Sequence, residues 1–153
     1  MDDKCRIVHV DKPEWGIIGS AITEYNTQHA GDDHGQSLCF VLKGPAGEIL
    51  GGVIGTTYWD WLHLDLMWVR EDLRGHGYGQ QLLACAEEEA RQRGARNAYV
   101  DTFSFQAPGF YRKHAYEVFA TLQDFPAGHQ RYFMTKRLSD ARGSEPDSEH
   151  VTL

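Results

Sequence analysis

No apolar run in this chain approaches the roughly 20 residues a membrane-spanning helix needs, so no membrane partner is expected. Positive charge is also scarce. The 153 residues carry 15 Lys and Arg against 22 Asp and Glu, a formal net charge of −7 with His neutral. Nucleic acid calls for a basic face, so no nucleic-acid partner is expected; an acidic body suits a cationic one. The start, MDDKCRIVHV, has acids where a secretory signal carries positive charge, and no long apolar segment. A cytoplasmic protein is therefore expected. Cysteine is limited to Cys5, Cys39 and Cys85, an odd number far apart and without metal-ligand spacing. Neither a disulfide framework nor a cysteine-held metal follows, and the three are expected to be reduced and to pack.

What is present suits one ordinary globular domain: 41% hydrophobic and 24% charged residues. RIVHV, residues 6–10, alternates like a short strand. After Pro13, the residues Trp15, Ile18, Ile22 and Tyr25 recur at helical spacing and make one apolar stripe. SLCFVLKG, the turn PAGE and ILGGVIGTTYW read as a hairpin, and HLDLMWV (63–69) as a further strand. Leu82, Ala86 and Ala90 share a helix face that Gly94 ends. NAYVDTF, YEVFATL and QRYFMTKRL are strands, with a short helix in APGFYRKH between the first two. The order predicts a mixed α+β domain over residues 1–138, with a largely antiparallel sheet of six to seven strands flanked by helices. The polar, acidic stretch 139–153 is expected to be a disordered tail.

The chemistry concentrates in WVREDLRGHGYGQQLL. Gly75, Gly77 and Gly79 alternate behind Arg74, between a strand and a helix. Bare backbone at a helix N-terminus, where N–H groups are unpaired and the dipole is positive, makes a phosphate cradle. A P-loop is excluded because no lysine follows the glycines. A dinucleotide fingerprint fails in both registers, since its third glycine falls on Gln80 or Leu82, although Asp101 lies at a suitable distance for a ribose contact. A tight turn that binds nothing is the remaining alternative.

The same stretch resembles the acetyl-CoA motif of the GNAT superfamily of N-acyltransferases, V-x-x-x-x-R-G-x-G-x-G. QAPGFYRKHAY, residues 106–116, resembles that family's second motif. Gln106 stands where the family often has Asn, His114 where it has Leu and Ala115 where it has Gly. The resemblance covers roughly residues 5–138. It implies acetyl-CoA as co-substrate and no metal. The pyrophosphate would lie on Arg74, Gly75, His76, Gly77, Tyr78, Gly79 and Gln80, near Gln106. The pantetheine arm would pair with the backbone of Met67, Trp68 and Val69, which also offers an oxyanion donor. Tyr111 matches the residue that protonates the departing thiolate. His63 would take the amine proton with Asp65 orienting it. The period of two sets His63, Asp65 and Met67 on one face of their strand. A homodimer is in keeping with the family.

The acceptor side is expected in TQHAGDDHG, TTYWDWLH and QDFPAGHQRYF. Asp32, Trp59, Asp60 and Asp124 there offer carboxylates and an aromatic face to a protonated amine. The expected reaction is acetyl transfer to a primary amine of a small cationic molecule: a polyamine, an aminoglycoside-like antibiotic or an amino-acid derivative. The alternatives are a protein or peptide amine, or a module that senses acetyl-CoA without transferring anything. HAGDDH lacks a recognised metal-ligand spacing.

Overall fold

The computed structural model describes residues 4–138, so the expected tail at 139–153 lies outside the described residues. The chain divides after Asp33 into two compact units. In the first, a single π-helical turn, Trp15–Gly19, runs into α1, Ser20–Ala30. Gly31, at φ 82°, ends the helix. The π turn breaks the 3.6-residue repeat between Trp15 and Ile22, and no residue of α1 is buried. Residues 6–10, expected as a strand, have no regular structure. Ile7 and Val8 are exposed, so neither face of that stretch buries its apolar residues.

The second unit is built on a six-stranded sheet in the order β1-β2-β3-β4-β6-β5. Its strands are β1 Gln36–Lys43, β2 Ile49–Tyr58, β3 Trp61–Val69, β4 Asn97–Phe103, β5 Glu117–Gln123 and β6 Gln130–Arg137. Helix α2, Tyr78–Gln92, connects β3 to β4, and α3, Pro108–Lys113, connects β4 to β5. Every ladder is antiparallel except β3 with β4, which α2 makes parallel by returning the chain. Trp59 and Asp60, both at positive φ, form the two-residue turn that joins β2 to β3.

The core lies on one face of the sheet. Leu38, Val53, Leu62, Leu64, Ala98, Val100 and Met134 pack there with Leu82, Leu83, Ala86 and Ala90 of α2. The apolar face expected for α2 is thus buried, and Gly94 at φ 93° closes its end. Glu87 is buried too. It accepts from the Tyr116 hydroxyl at 2.7 Å and from Lys136 Nζ at 2.9 and 3.0 Å, which satisfies the charge that burial would otherwise penalise. The three cysteines do not pack: all are free and exposed, Cys39 on edge strand β1 and Cys85 on the outer side of α2.

Candidate active site

The site begins where the sheet comes apart. The parallel ladder between β3 and β4 ends at Leu64 and Val100, yet β3 runs on to Val69 and β4 to Phe103. The divergence coincides with a bulge at Asp65. Leu64 pairs with Gly55 and Leu66 with Ile54, so Asp65 is an extra residue on β3. A bulge bends its strand and resets the alternation of faces. This corrects one expectation: His63 and Asp65 share a face, but Met67 does not join them. Met67 and Val69 pack against the core after the bulge, as Leu62 and Leu64 do before it. The far half of β3 also has no ladder partner on its β4 side, leaving backbone groups available to an extended ligand.

A cavity of about 810 Å³ occupies the divergence. The backbone at Met67, Trp68 and Val69 lines one side, and Arg74, Gly75, Gly77, Tyr78, Gly79 and Gln80 line the mouth. Gly75 and Gly77 have φ of 82° and 86°, a conformation that costs other residues about 1–2 kcal/mol. A Cβ on either would meet nothing within 4 Å, so the loop is open to a ligand on that side. Gly79 serves packing instead: its Cβ would lie 3.4 Å from Phe110. The first hydrogen bond of α2 runs from Gln81 N–H to the Gly77 carbonyl at 3.1 Å, and no side chain caps the helix. The N–H groups of Tyr78, Gly79 and Gln80 therefore have no helical acceptor, and the dipole adds positive potential. Arg74 is steadied by its Nε–H to the Val69 carbonyl at 2.8 Å. His76 turns away, its ring nitrogen against the Leu73 carbonyl at 3.1 Å, and does not line the cavity. A coenzyme A pyrophosphate and pantetheine arm fit this combination of anion cradle and open strand edge.

On the opposite wall stands Tyr111, buried on α3. Among the described residues nothing hydrogen-bonds its hydroxyl, and no fully enclosed side-chain polar atom lacks a partner, so the hydroxyl reaches into the cavity. Burial, with a smaller contribution from Asp101, pushes its pKa up to about 12. Gln106 lines the same wall, and its Oε1 accepts from the Phe103 N–H at 2.9 Å, which fixes the turn into α3. The helix ends on Ala115 at φ 73°, where the resembled family commonly has glycine, so this chain keeps that left-handed turn with an alanine.

His63 lies between two carboxylates that both line the cavity. Its Nδ1 is 2.9 Å from Asp65 Oδ1, and its Nε2 is 3.8 Å from Asp101 Oδ2. Asp65 also accepts from the Thr56 hydroxyl at 3.1 Å. The ring stacks on Tyr99, centroids 4.4 Å apart and 12° from parallel. A carboxylate only accepts, so in neutral His63 the proton sits on Nδ1 and Nε2 keeps a lone pair facing Asp101. Asp101 is held in turn by Arg131, whose Nε–H reaches Oδ1 at 2.9 Å.

The sequence model described as the acetyltransferase (GNAT) family matches residues 6–116, well over half of the chain. The chain belongs to the GNAT acetyltransferase family. Blasticidin-S acetyltransferase of Streptomyces morookaense is 43% identical over 96 residues, 62% of this chain and 71% of that protein. An acetyltransferase of Agrobacterium fabrum is 32% identical over 120 residues, 78% of this chain and 88% of that one. A crystal structure of an acetyltransferase from Bacillus cereus superposes with a TM-score of 0.82 at 38% identity, covering 88% of this chain and 98% of that chain. This GNAT protein is thus an N-acetyltransferase, and the mixed sheet read from the sequence is the fold of its relatives. Among the described residues no cluster of His, Cys, Asp or Glu is arranged to hold a metal, and no helix is long and apolar enough to cross a membrane.

Of the residues expected on the acceptor side of this GNAT enzyme, those in the second unit do not share a cavity. Trp59 lines a second cavity of about 610 Å³ with Tyr58, Trp61, Tyr99, Phe119 and Thr135. Asp60 lies in the β2–β3 turn, where its carbonyl accepts from Arg96 N–H at 2.8 Å, and it lines neither cavity. Asp124 closes its own turn by accepting from Gly128 N–H at 3.4 Å. Asp32 belongs to the first unit, and the residues lining both cavities all come from the second. Around His63 the structure instead gathers Tyr99, Asp101 and, through Asp101, Arg131. The alternation Tyr99, Asp101, Phe103 sets the first two on a common strand face, and Arg131 lies within QDFPAGHQRYF, but neither pattern names what these residues meet.

Proposed function

We propose that this enzyme moves the acetyl group of acetyl-CoA to a primary amine of a small cationic molecule, by direct attack with both substrates bound. The observation that carries the reading is convergence in one cleft. The glycine cradle, the unpaired edge of β3, the Tyr111 hydroxyl and the two carboxylates flanking His63 all border the same space.

The N–H groups of Tyr78, Gly79 and Gln80 hold the pyrophosphate, with Arg74 beside it. The backbone of Met67 to Val69 receives the pantetheine arm, and one of its N–H groups faces the oxygen that gains charge. Bound acetyl-CoA supplies the acetyl group as a thioester. His63 Nε2 takes a proton from the amine, and Asp65 stabilises the imidazolium that results. Tyr111 Oη gives its proton to the sulfur as the C–S bond breaks and the C–N bond forms. With its pKa near 12, Tyr111 holds that proton at physiological pH. The name of the Streptomyces relative supports a small-molecule acceptor, and the acidic groups at the cleft support a cationic one.

The test is thiol release from acetyl-CoA over a panel of blasticidin S, polyamines, aminoglycosides, amino acids and short peptides. Release with one of the small cationic classes is expected. Turnover with peptides alone would move the acceptor class to protein amines. Tight acetyl-CoA binding with no turnover on any acceptor would favour a sensor.

A further inference from the structure

Asp101 has one oxygen committed and one open. Oδ1 takes the guanidinium of Arg131, while Oδ2 is met only by His63 Nε2 at 3.8 Å, too far for a hydrogen bond. Because that separation is less than twice a hydrogen-bond length, a single nitrogen or water set beside the pair can lie within reach of both Oδ2 and Nε2. Both atoms accept: the carboxylate by its charge, the imidazole by its remaining lone pair. A group that donates to two acceptors and carries positive charge satisfies that gap better than water does. The unpartnered, buried Tyr111 hydroxyl and Asp101 line the same cavity, and His63 reaches it through the two carboxylates beside it.

The setting explains why Oδ2 stays directed at the gap. Arg131 is enclosed by rings, its guanidinium carbon 5.3 Å from the centre of Phe103, 4.9 Å from Phe125 and 5.4 Å from Phe133. Such a cage favours a cation and leaves the guanidinium few orientations. Its Nε–H and Nη2–H both reach Oδ1, which holds that oxygen and leaves Oδ2 outside the fork. Asp65 is less open to the same task, because each of its oxygens already meets a donor, His63 and Thr56, while Asp101 Oδ2 meets none within hydrogen-bond distance.

We propose that Asp101 Oδ2 and His63 Nε2 together form the receptor for the acceptor's ammonium group, and that Arg131 is the positioning residue that aims Asp101. The inference rests on the acetyl-transfer reading above and names the atoms that select a protonated amine. One N–H of the ammonium donates to Oδ2. A second proton passes to Nε2, which leaves the nitrogen lone pair free for attack.

The experiment compares Asp101→Asn and Arg131→Lys with the wild type, using the best cationic acceptor of the panel, with blasticidin S as first probe, and hydroxylamine as a nucleophile uncharged at neutral pH. For Asp101→Asn, KM for the cationic amine is expected to rise about 10- to 100-fold, the worth of a charge-assisted hydrogen bond. KM for acetyl-CoA should stay within about twofold, and transfer to hydroxylamine should fall far less. Arg131→Lys keeps the charge but not the fork, so it should raise amine KM by a smaller factor, again sparing acetyl-CoA. If Asp101→Asn fails to fold, Arg131→Lys decides. Unchanged amine KM in the variants would overturn the proposal, as would equal losses with charged and uncharged nucleophiles. A loss of kcat and thermal stability alone in Arg131→Lys would reduce Arg131 to a structural role and overturn that half. Wild-type turnover separates the two levels: with none on any amine, the acetyl-transfer reading itself fails.

Discussion

Two tyrosines on one short segment show how far environment decides a residue's work. Tyr116 donates to Glu87 and is spent on structure. Tyr111, five residues earlier, is buried without a protein partner and faces a cavity. Tyr111→Phe is expected to lower kcat about 100-fold, the lower end for general acid catalysis, with the dissociation constant for acetyl-CoA unchanged. The raised pKa has a sign that can be checked. In the folded protein Tyr111 stays protonated up to about pH 12, whereas the unfolded chain ionises it near 10. The unfolded state therefore binds fewer protons between those values, so stability falls as pH rises from 10 to 12 and is unaffected below. The wild-type rate should show no alkaline loss assignable to Tyr111 below pH 10, measured over a full pH–rate profile. Ala115 gives a second test. It holds a left-handed conformation at φ 73° that glycine adopts without strain. Ala115→Gly is expected to stabilise the fold by about 0.5–1 kcal/mol, the relieved strain less the added chain entropy, read from chemical denaturation.

Among the elements, β3 shapes the proposed site most, and it does so by being irregular. Its first half pairs with β4 and presents His63; its bulge sets Asp65 beside His63; its second half leaves the ladder and offers a free edge. Opposite the bulge, β2 carries Gly55. A Cβ there would lie 2.8 Å from the His63 carbonyl oxygen, a backbone atom that cannot move without shifting the strand. Gly55→Ala is expected to reduce kcat at least tenfold while acetyl-CoA affinity changes little, because the disturbance falls on the His63 side of the bulge. Isothermal titration with acetyl-CoA beside steady-state kinetics would separate the two effects. The strand was legible in HLDLMWV, but its bulge was not. Nothing in the local pattern marks Asp65 as the extra residue; the register with β2 does. The expected strand at 6–10 failed for a related reason. Alternation alone proposes a strand, and only a partner with free backbone groups makes one.

For the whole molecule, the fit of the cleft to acetyl-CoA has a thermodynamic consequence. A ligand bound to the folded state at 100 times its dissociation constant stabilises by about 2.7 kcal/mol, an increase in Tm of about 5–10 °C for a chain of this size. Acetyl-CoA is expected to give that shift and a nicotinamide dinucleotide none, by differential scanning fluorimetry. A reversed result would return the glycine loop to the dinucleotide reading. The sequence by itself determined what is local in the chain: six strands and the helices between them, the glycine cradle at the mouth of α2, and Tyr111 within its motif. Each of these is written in neighbouring residues, through periodicity, turn conformation and helix-end chemistry. Tertiary structure alone decided which groups surround His63. His63 meets Asp101 across the parallel ladder of β3 and β4, and Asp101 meets Arg131 across β4 and β6, separations of 38 and 30 residues. Of the loop acids that looked available, Asp124 turned its carboxylate to the Gly128 N–H of its own turn, while Asp60 sits in the β2–β3 turn and meets Arg96 N–H through its main-chain carbonyl. Which charges converge depends on strand order, register and one inserted residue, and these are settled only when the sheet assembles and buries its core.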